Sequence, residues 1–321
     1  MKKTLIIILF LAGCVHAQST PYYHQIYSAT STDGIIWNVS DVMLLDHASV
    51  PGAVYFNNKT HLYYVNAEDP ENEKLSVGIS EDRGATFTIY DVQINGSNSP
   101  YPVDPNAIID AGQVRLTYLG NFNQGEVTNE IVTASSSDGI NFVEDAIIFT
   151  REDVFDPDLF YDGSGWVLLL NTGGLTKATA SSSTGTFIED TGFVWSEGSI
   201  SSTHHIGDSY YTYYAGQGIC VAEYLDGNLS ILANNIVNFS GMTADPTLAV
   251  FAENDYKMFF KTQVEGETTT IPGGCPLLGD DEPCDGAVSD FELLSYIAVW
   301  SDGEVDDFDL LKAIENWVNS G

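Results

Sequence analysis

Four acids open repeated strand-like segments, and their types and spacing could carry chemistry. Asp104-Pro105, Asp156-Pro157 and Asp245-Pro246 each begin a run of strand-forming residues, and Glu197-Gly198 begins a weaker one. Carboxylates brought together shift one another. The charge on one disfavours ionisation of the next, so one stays protonated near neutral pH while its neighbour is ionised. Such a cluster can give a proton and take one. The competing role is structural: an Asp before Pro at a strand start caps a turn through its own backbone. For Asp104 and Asp245 the two roles are balanced, and Glu197 before Gly198 also reads as a loop residue.

The elements that must position these acids form a repeat. The opening strands are Val50 to Phe56, Asp104 to Ile109, Asp156 to Tyr161, a weak copy within Glu197 to Ile206, and Asp245 to Val250. Phe155 to Leu170 shows the pattern best. Leu159-Phe160-Tyr161 is a strand, Asp162-Gly163-Ser164-Gly165 is turn chemistry, and Trp166 to Leu170 returns. A second box alternates with the first: Ser31-Thr32-Asp33-Gly34-Ile35-Ile36-Trp37, and again Ser136-Ser137-Asp138-Gly139-Ile140-Asn141-Phe142. Variants start at Ser80, Ser182 and Glu223. The cycle is about 45 to 55 residues, the length of a four-stranded propeller blade.

Five opening strands predict an all-β, five-bladed propeller over residues 22–263. The chain starts on a second-box hairpin and its last cycle has only an opening hairpin. The N-terminal hairpin is therefore expected to supply the outer strands of the fifth blade and close the ring, removing an exposed edge. A β-sandwich would not explain complementary halves at the two ends.

Composition narrows the partners. Of 321 residues 45 are acidic and 11 basic, for a formal charge of −34. A phosphate backbone would be repelled, so nucleic acid is excluded as a partner. Lys2-Lys3 followed by Leu5 to Leu11 reads as a signal peptide over residues 1–17, cleaved after Ala17. Leu11-Ala12-Gly13-Cys14 is a competing lipobox that would anchor the chain at Cys14. Either way the protein is expected to be secreted or held at the cell surface, with no transmembrane helix in the mature chain. Cys275 and Cys284 flank a Pro/Asp-rich loop and are expected to pair in an exported protein. Cys220 lies in an apolar run and reads as a buried core residue.

Residues 22–263 resemble the five-bladed propeller glycoside hydrolases: arabinanases, β-xylosidases, invertases and levansucrases. The resemblance rests on the Asp-Pro opening strands, on Phe155 to Trp166 as the acidic third-blade strand, and on Trp195-Ser196-Glu197-Gly198-Ser199 as the fourth-blade box. It implies a funnel in which Glu197 is the general acid and Asp156 orients it and modulates its pKa; with Val50 at the first-blade position, either the base has moved, to Asp104 or Asp46, or catalysis has been lost. It implies substrate contacts from Asp245, Asp158, His47 and His204. No cofactor is required, and the families often hold a central cation near a histidine, so Ca²⁺ in the funnel is one expectation. On a strand His204 and His205 point to opposite faces, so at most one looks inward. Two departures stand out. The first-blade position of the base or nucleophile is Val50, and Ser199 replaces the proline of the fourth-blade box.

The tail differs. A linker spans 264–274 and a helical module 275–321, where Asp285 to Trp300 is repeated as Asp302 to Trp317 with a period of about 17 residues. The module resembles a dockerin-like pair of calcium loops and helices, with a two-helix fold. Asp281, Asp285 and Glu292 fall on ligand positions of the first loop. The second loop lacks half its ligands, so weak or absent Ca²⁺ binding is expected. Trp300 and Trp317 are either anchors for a protein partner or the module's own core.

Two readings of function follow. One is an exported hydrolase of a poly- or oligosaccharide, working by paired-carboxylate chemistry. The other is a catalytically inactive propeller that binds glycan or protein at the cell surface, attached through its tail.

Overall fold

A computed structural model describes residues 21–69, 72–97, 102–120, 128–239, 242–263, 312–314 and 317. The first twenty residues, the linker and nearly all of the tail lie outside these. So do the expected signal peptide, Cys14, the Cys275–Cys284 bridge and the loop ligands Asp281, Asp285 and Glu292. The propeller belongs to the compact unit Thr20–Glu265. No helix among the described residues is long and apolar enough to cross a membrane.

Among the described residues, strands form five sheets, antiparallel except where Gln93–Asn95 pairs parallel with Asn141–Arg151, and helix is almost absent. The innermost strands are Ala48–Phe56, Val103–Asp110, Phe155–Tyr161, Ser199–Ile206 and Met242–Ala252, one to a sheet and in chain order around the axis. This is the five-bladed propeller expected from the repeat. Blade 5 joins Met242–Ala252 and Asp255–Gln263 to the N-terminal strands His24–Ser31 and Asn38–Val39. His24–Ser31 pairs with Asp255–Gln263 along its whole length, from His24 opposite Gln263 to Ser31 opposite Tyr256.

Turn chemistry explains where the strands break. Asn57-Asn58 and Asp226-Gly227 hold two successive positive φ values, the requirement of a tight type I′ hairpin. In the second box, Ser31 Oγ accepts the Gly34 N–H and Asp33 Oδ1 accepts those of Ile35 and Ile36. Ser80 with Asp82, and Ser136 with Asp138, repeat the device.

Those turns are also where neighbouring blades meet. Tyr63 Oη donates to Gly139 O of blade 2, and Tyr213 Oη donates to Gly34 O of blade 5, both at 2.9 Å. Lys257 Nζ reaches Gly84 O of blade 1 at 2.7 Å, and Lys177 Nζ reaches Gly227 O of blade 4 at 2.6 Å. Between blades lie the apolar cores. Val54, Tyr63 and Val77 pack on Leu116 and Phe142 between blades 1 and 2. Tyr213, Met258 and Phe260 fill the gap between blades 4 and 5. Cys220 is buried and free, as its apolar run predicts.

Candidate functional site at the propeller axis

All five axial strands share one irregularity. Val50, Asp104, Asp156, Ile200 and Asp245 have φ values of 49°, 54°, 46°, 54° and 51°. Each sits at a break in strand register, a β-bulge. A bulge re-aims the side chain and bends the strand. Four of the five residues precede a proline, which supplies no ladder donor, so the loss of pairing costs nothing there. These are the five equivalent positions of the ring. Paired hairpin ends give the same alignment: Tyr161 lies opposite Trp166 and His205 opposite Tyr210, which puts Ile200 in register with Asp156.

The five positions line one cavity with the residues that follow them. Its volume is about 20 Å³, room for about one water molecule. Asp104, Asp156 and Asp245 face it together. The Asp156 N–H donates to Asp104 Oδ2 at 3.4 Å, and Asn171 Nδ2 donates to Asp156 Oδ2 at 2.8 Å. Lys261 Nζ lies 2.6 Å from Asp245 Oδ2, off the line of a good hydrogen bond, and both side chains are almost wholly buried. Asp245 Oδ1 has no hydrogen-bond partner among the described residues. Burial pushes Asp104 up to about 6. It pushes Asp156 well above the usual carboxylate range, with the charges of Asp104 and Asp245 adding to the effect.

The structure does not bring Glu197 to this cluster. It lies three residues ahead of the equivalent position, in a bend before Ser199–Ile206, exposed and outside the cavity lining. The axial position of blade 4 is Ile200. Ile200, seven residues before the hairpin turn at Gly207, is the residue in register with Asp156. Val50 is the axial residue of blade 1, as the sequence indicated.

Asp158, His204 and Thr247 form a second ring, which holds the axial strands together. Asn106 Oδ1 accepts the Leu159 N–H at 3.2 Å, joining blade 2 to blade 3. Asp158 takes the Thr203 N–H at 3.0 Å and the hydroxyls of Thr203 and Ser201 at 2.7 and 3.0 Å, joining blade 3 to blade 4. His204 Nε2 accepts the Leu248 N–H at 3.3 Å and contacts Ser202 Oγ at 2.8 Å, joining blade 4 to blade 5. Thr247 Oγ1 accepts the Ala53 N–H at 2.9 Å, joining blade 5 to blade 1. At the remaining joint Gly52 has no side chain, and a Cβ there would overlap the Pro105 carbonyl oxygen. Asp158 and His204 are thus hydrogen-bonded by the chain itself. Burial holds His204 down at about 4, so it stays neutral.

His47 is elsewhere. Its ring stacks on Tyr22 with centroids 4.1 Å apart, and Nδ1 lies 2.6 Å from Tyr22 O. Asp46, a candidate replacement base, is exposed and accepts from Gln25 Nε2. A resident cation at the axis does not fit the donor set. The Lys261 ammonium already faces Asp245, His204 Nε2 is used by Leu248, and no trio of His, Cys, Asp or Glu among the described residues is disposed to hold a metal.

No protein-family model matches the chain, and no curated protein does. Solved structures do. A thermostable family-43 glycoside hydrolase superposes with a TM-score of 0.52 at 13% identity, covering 64% of this chain and 84% of that one. A family-117 glycoside hydrolase from the marine bacterium Zobellia galactanivorans gives 0.50 at 12% identity, covering 75% and 90%. A family-32 β-fructofuranosidase from Bombyx mori gives 0.51 at 15% identity, covering 67% and 58%. At these identities the likeness is one of fold: the chain has the five-bladed propeller that these glycoside hydrolases share.

Proposed function

We propose that the protein is a non-catalytic carbohydrate-binding propeller, exported and held at the cell surface through its dockerin-like tail. One observation carries this reading. Hydrolysis of a glycosidic bond needs one carboxylic acid and one carboxylate on either side of it. Of the five equivalent axial positions, Val50 stands where the resemblance puts the base or nucleophile and Ile200 is apolar too, while Glu197, which the resemblance names as general acid, is exposed and outside the cavity lining. The three remaining aspartates surround a cavity of about 20 Å³, far below the several hundred cubic ångströms of an ordinary ligand site. A sugar ring does not enter such a space. In this reading the aspartates keep the ring of axial strands in register, and the pairing of His24–Ser31 with Asp255–Gln263 supports a ring closed by the N-terminal hairpin. Sugar recognition is retained from the fold and moved to the surface.

The test is a panel of aryl-glycosides and plant or microbial polysaccharides, assayed for released sugar, beside a glycan array. No hydrolysis and selective glycan binding are expected. Hydrolysis that disappears in Asp156→Asn would overturn the non-catalytic reading, and an array with no hits would remove the carbohydrate half of it.

A further inference from the structure

The far ends of the axial strands carry a second set of equivalent residues, five positions beyond the bulges: Tyr55, Ile109, Tyr161, His205 and Val250. At a rise of about 3.3 Å per residue they lie about 16 Å along the strand from the aspartates. Here the blades differ. At the junction of blades 5 and 1, Tyr55 packs edge-on against Phe251, with centroids 5.0 Å apart. The Arg83 guanidinium covers Phe251 at 4.2 Å and pairs with Asp255. That aromatic surface is used up by the chain's own cation. Blade 2 presents Ile109 beside the buried Arg115–Asp110 pair.

The junction of blades 3 and 4 is open. Tyr161, 48% exposed, meets Trp166 across its hairpin with ring centroids 5.5 Å apart. His205, also exposed, meets Tyr210 across the next hairpin at 4.9 Å. Tyr210 bridges the two, packing on Phe160 at 6.2 Å, and its hydroxyl is 3.8 Å from where a Cβ on Gly163 would stand. No Arg or Lys stacks on these four rings among the described residues. Two carboxylates flank them. Asp162 spends Oδ1 on its own turn, at Ser164 and Gly165. Asp208, in the turn between His205 and Tyr210, is exposed.

We propose that Tyr161, Trp166, Tyr210 and His205 form a stacking platform for a neutral polysaccharide, at the opposite end of the axial strands from the aspartates. A pyranose or furanose ring offers an apolar C–H face and a rim of hydroxyls. Aromatic rings take the face, and carboxylate oxygens accept from the rim. Charge selects the class. Asp162 and Asp208 beside the rings, on a chain of net charge −34, repel uronate or sulfate polymers and leave uncharged glycans as the fitting partner. The proposal rests on the glycan-binding reading and gives that reading a place.

Affinity gel electrophoresis separates the two. Native gels carry xylan, arabinan, β-glucan, mannan, galactan or levan, with polygalacturonate as the charged control. Wild type is expected to be retarded by at least one neutral polymer and not by polygalacturonate. Tyr161→Ala is expected to weaken that retardation about tenfold, the scale of one lost aromatic contact, while Tyr161→Phe keeps it. Equal thermal midpoints establish that the variants are folded. Retardation unchanged in both Tyr161→Ala and His205→Ala overturns the platform and leaves glycan binding standing. Wild type retarded by none of the neutral polymers overturns both, and equal retardation by polygalacturonate overturns the choice of a neutral ligand.

Discussion

Lys261 Nζ lies 2.6 Å from Asp245 Oδ2 at the centre of the propeller, on the neighbouring strand of blade 5. It is the cation that faces three axial carboxyls; Lys261 and Asp245 are buried, Asp104 and Asp156 half-buried. Removing one partner of a buried pair leaves an uncompensated charge, which typically costs about 3–5 kcal/mol. Lys261→Met is expected to lose that much in urea unfolding, and Lys261→Met with Asp245→Asn to recover most of it. A single variant within about 1 kcal/mol of wild type would show that the pair contributes little.

The same cluster sets a pH dependence whose sign can be worked out. Burial raises Asp104 and Asp158 to about 6, and raises Asp156 well above its ordinary value of 3.8. A carboxyl raised by folding binds more protons folded than unfolded, so its contribution falls as pH climbs from near 4 through the raised value. His24, lowered to about 3 by burial and by Lys261, and His204, lowered to about 4 by burial, act in the opposite sense below 6.5. There the unfolded chain takes up protons that the folded chain refuses. The two effects oppose each other between about pH 4 and 6. Asp156→Asn removes one raised carboxyl without touching the histidines, so its thermal midpoint is expected to fall less than that of wild type as pH climbs above about 4. A pH dependence of the midpoint that the substitution leaves unchanged contradicts the assignment.

The ring of bonds between axial strands predicts an order of severity. Asp158 serves three donors of blade 4, and Asp158→Ala is expected to cost about 3–4 kcal/mol. Gly52→Ala drives a methyl into the Pro105 carbonyl and is expected to cost about 2–3 kcal/mol. Thr247→Val removes one bond, to the Ala53 N–H, worth about 1 kcal/mol. Urea midpoints at constant m value test the order. Thr247→Val costing more than Asp158→Ala would mean that these joints do not hold the ring.

Ile200 and Val50 are β-branched residues at φ 54° and 49°. Left-handed backbone costs such residues about 1–2 kcal/mol, and Asn tolerates it better. Ile200 is half-buried, so Ile200→Asn also loses some apolar contact. A net gain of about 1 kcal/mol is expected in thermal unfolding. A loss of that size would show that the side chain's packing outweighs its strain.

The architecture was legible because the repeat is written in turn chemistry. Asp33-Gly34 and Asp138-Gly139 fix hairpins through local hydrogen bonds, and such signals need no knowledge of the rest of the chain. The axial aspartates were legible for a related reason, since a proline marks each bulge. Blade 4 lacks that proline, and without it Glu197 and Ile200 could not be told apart by residue type. The roles of Asp158 and His204 were not legible at all. Each depends on a backbone N–H more than forty residues away, Thr203 for Asp158 and Leu248 for His204. Distances of that kind exist only once the blades are in a ring.

Blade 5 has a consequence for how the protein is made. Its strand His24–Ser31 emerges early from the ribosome, but its partner Asp255–Gln263 is among the last parts of the propeller to be synthesised. Until then the early strand is an unpaired edge on an incomplete ring, the kind of surface that recruits other chains. The ring therefore has to wait for its far end.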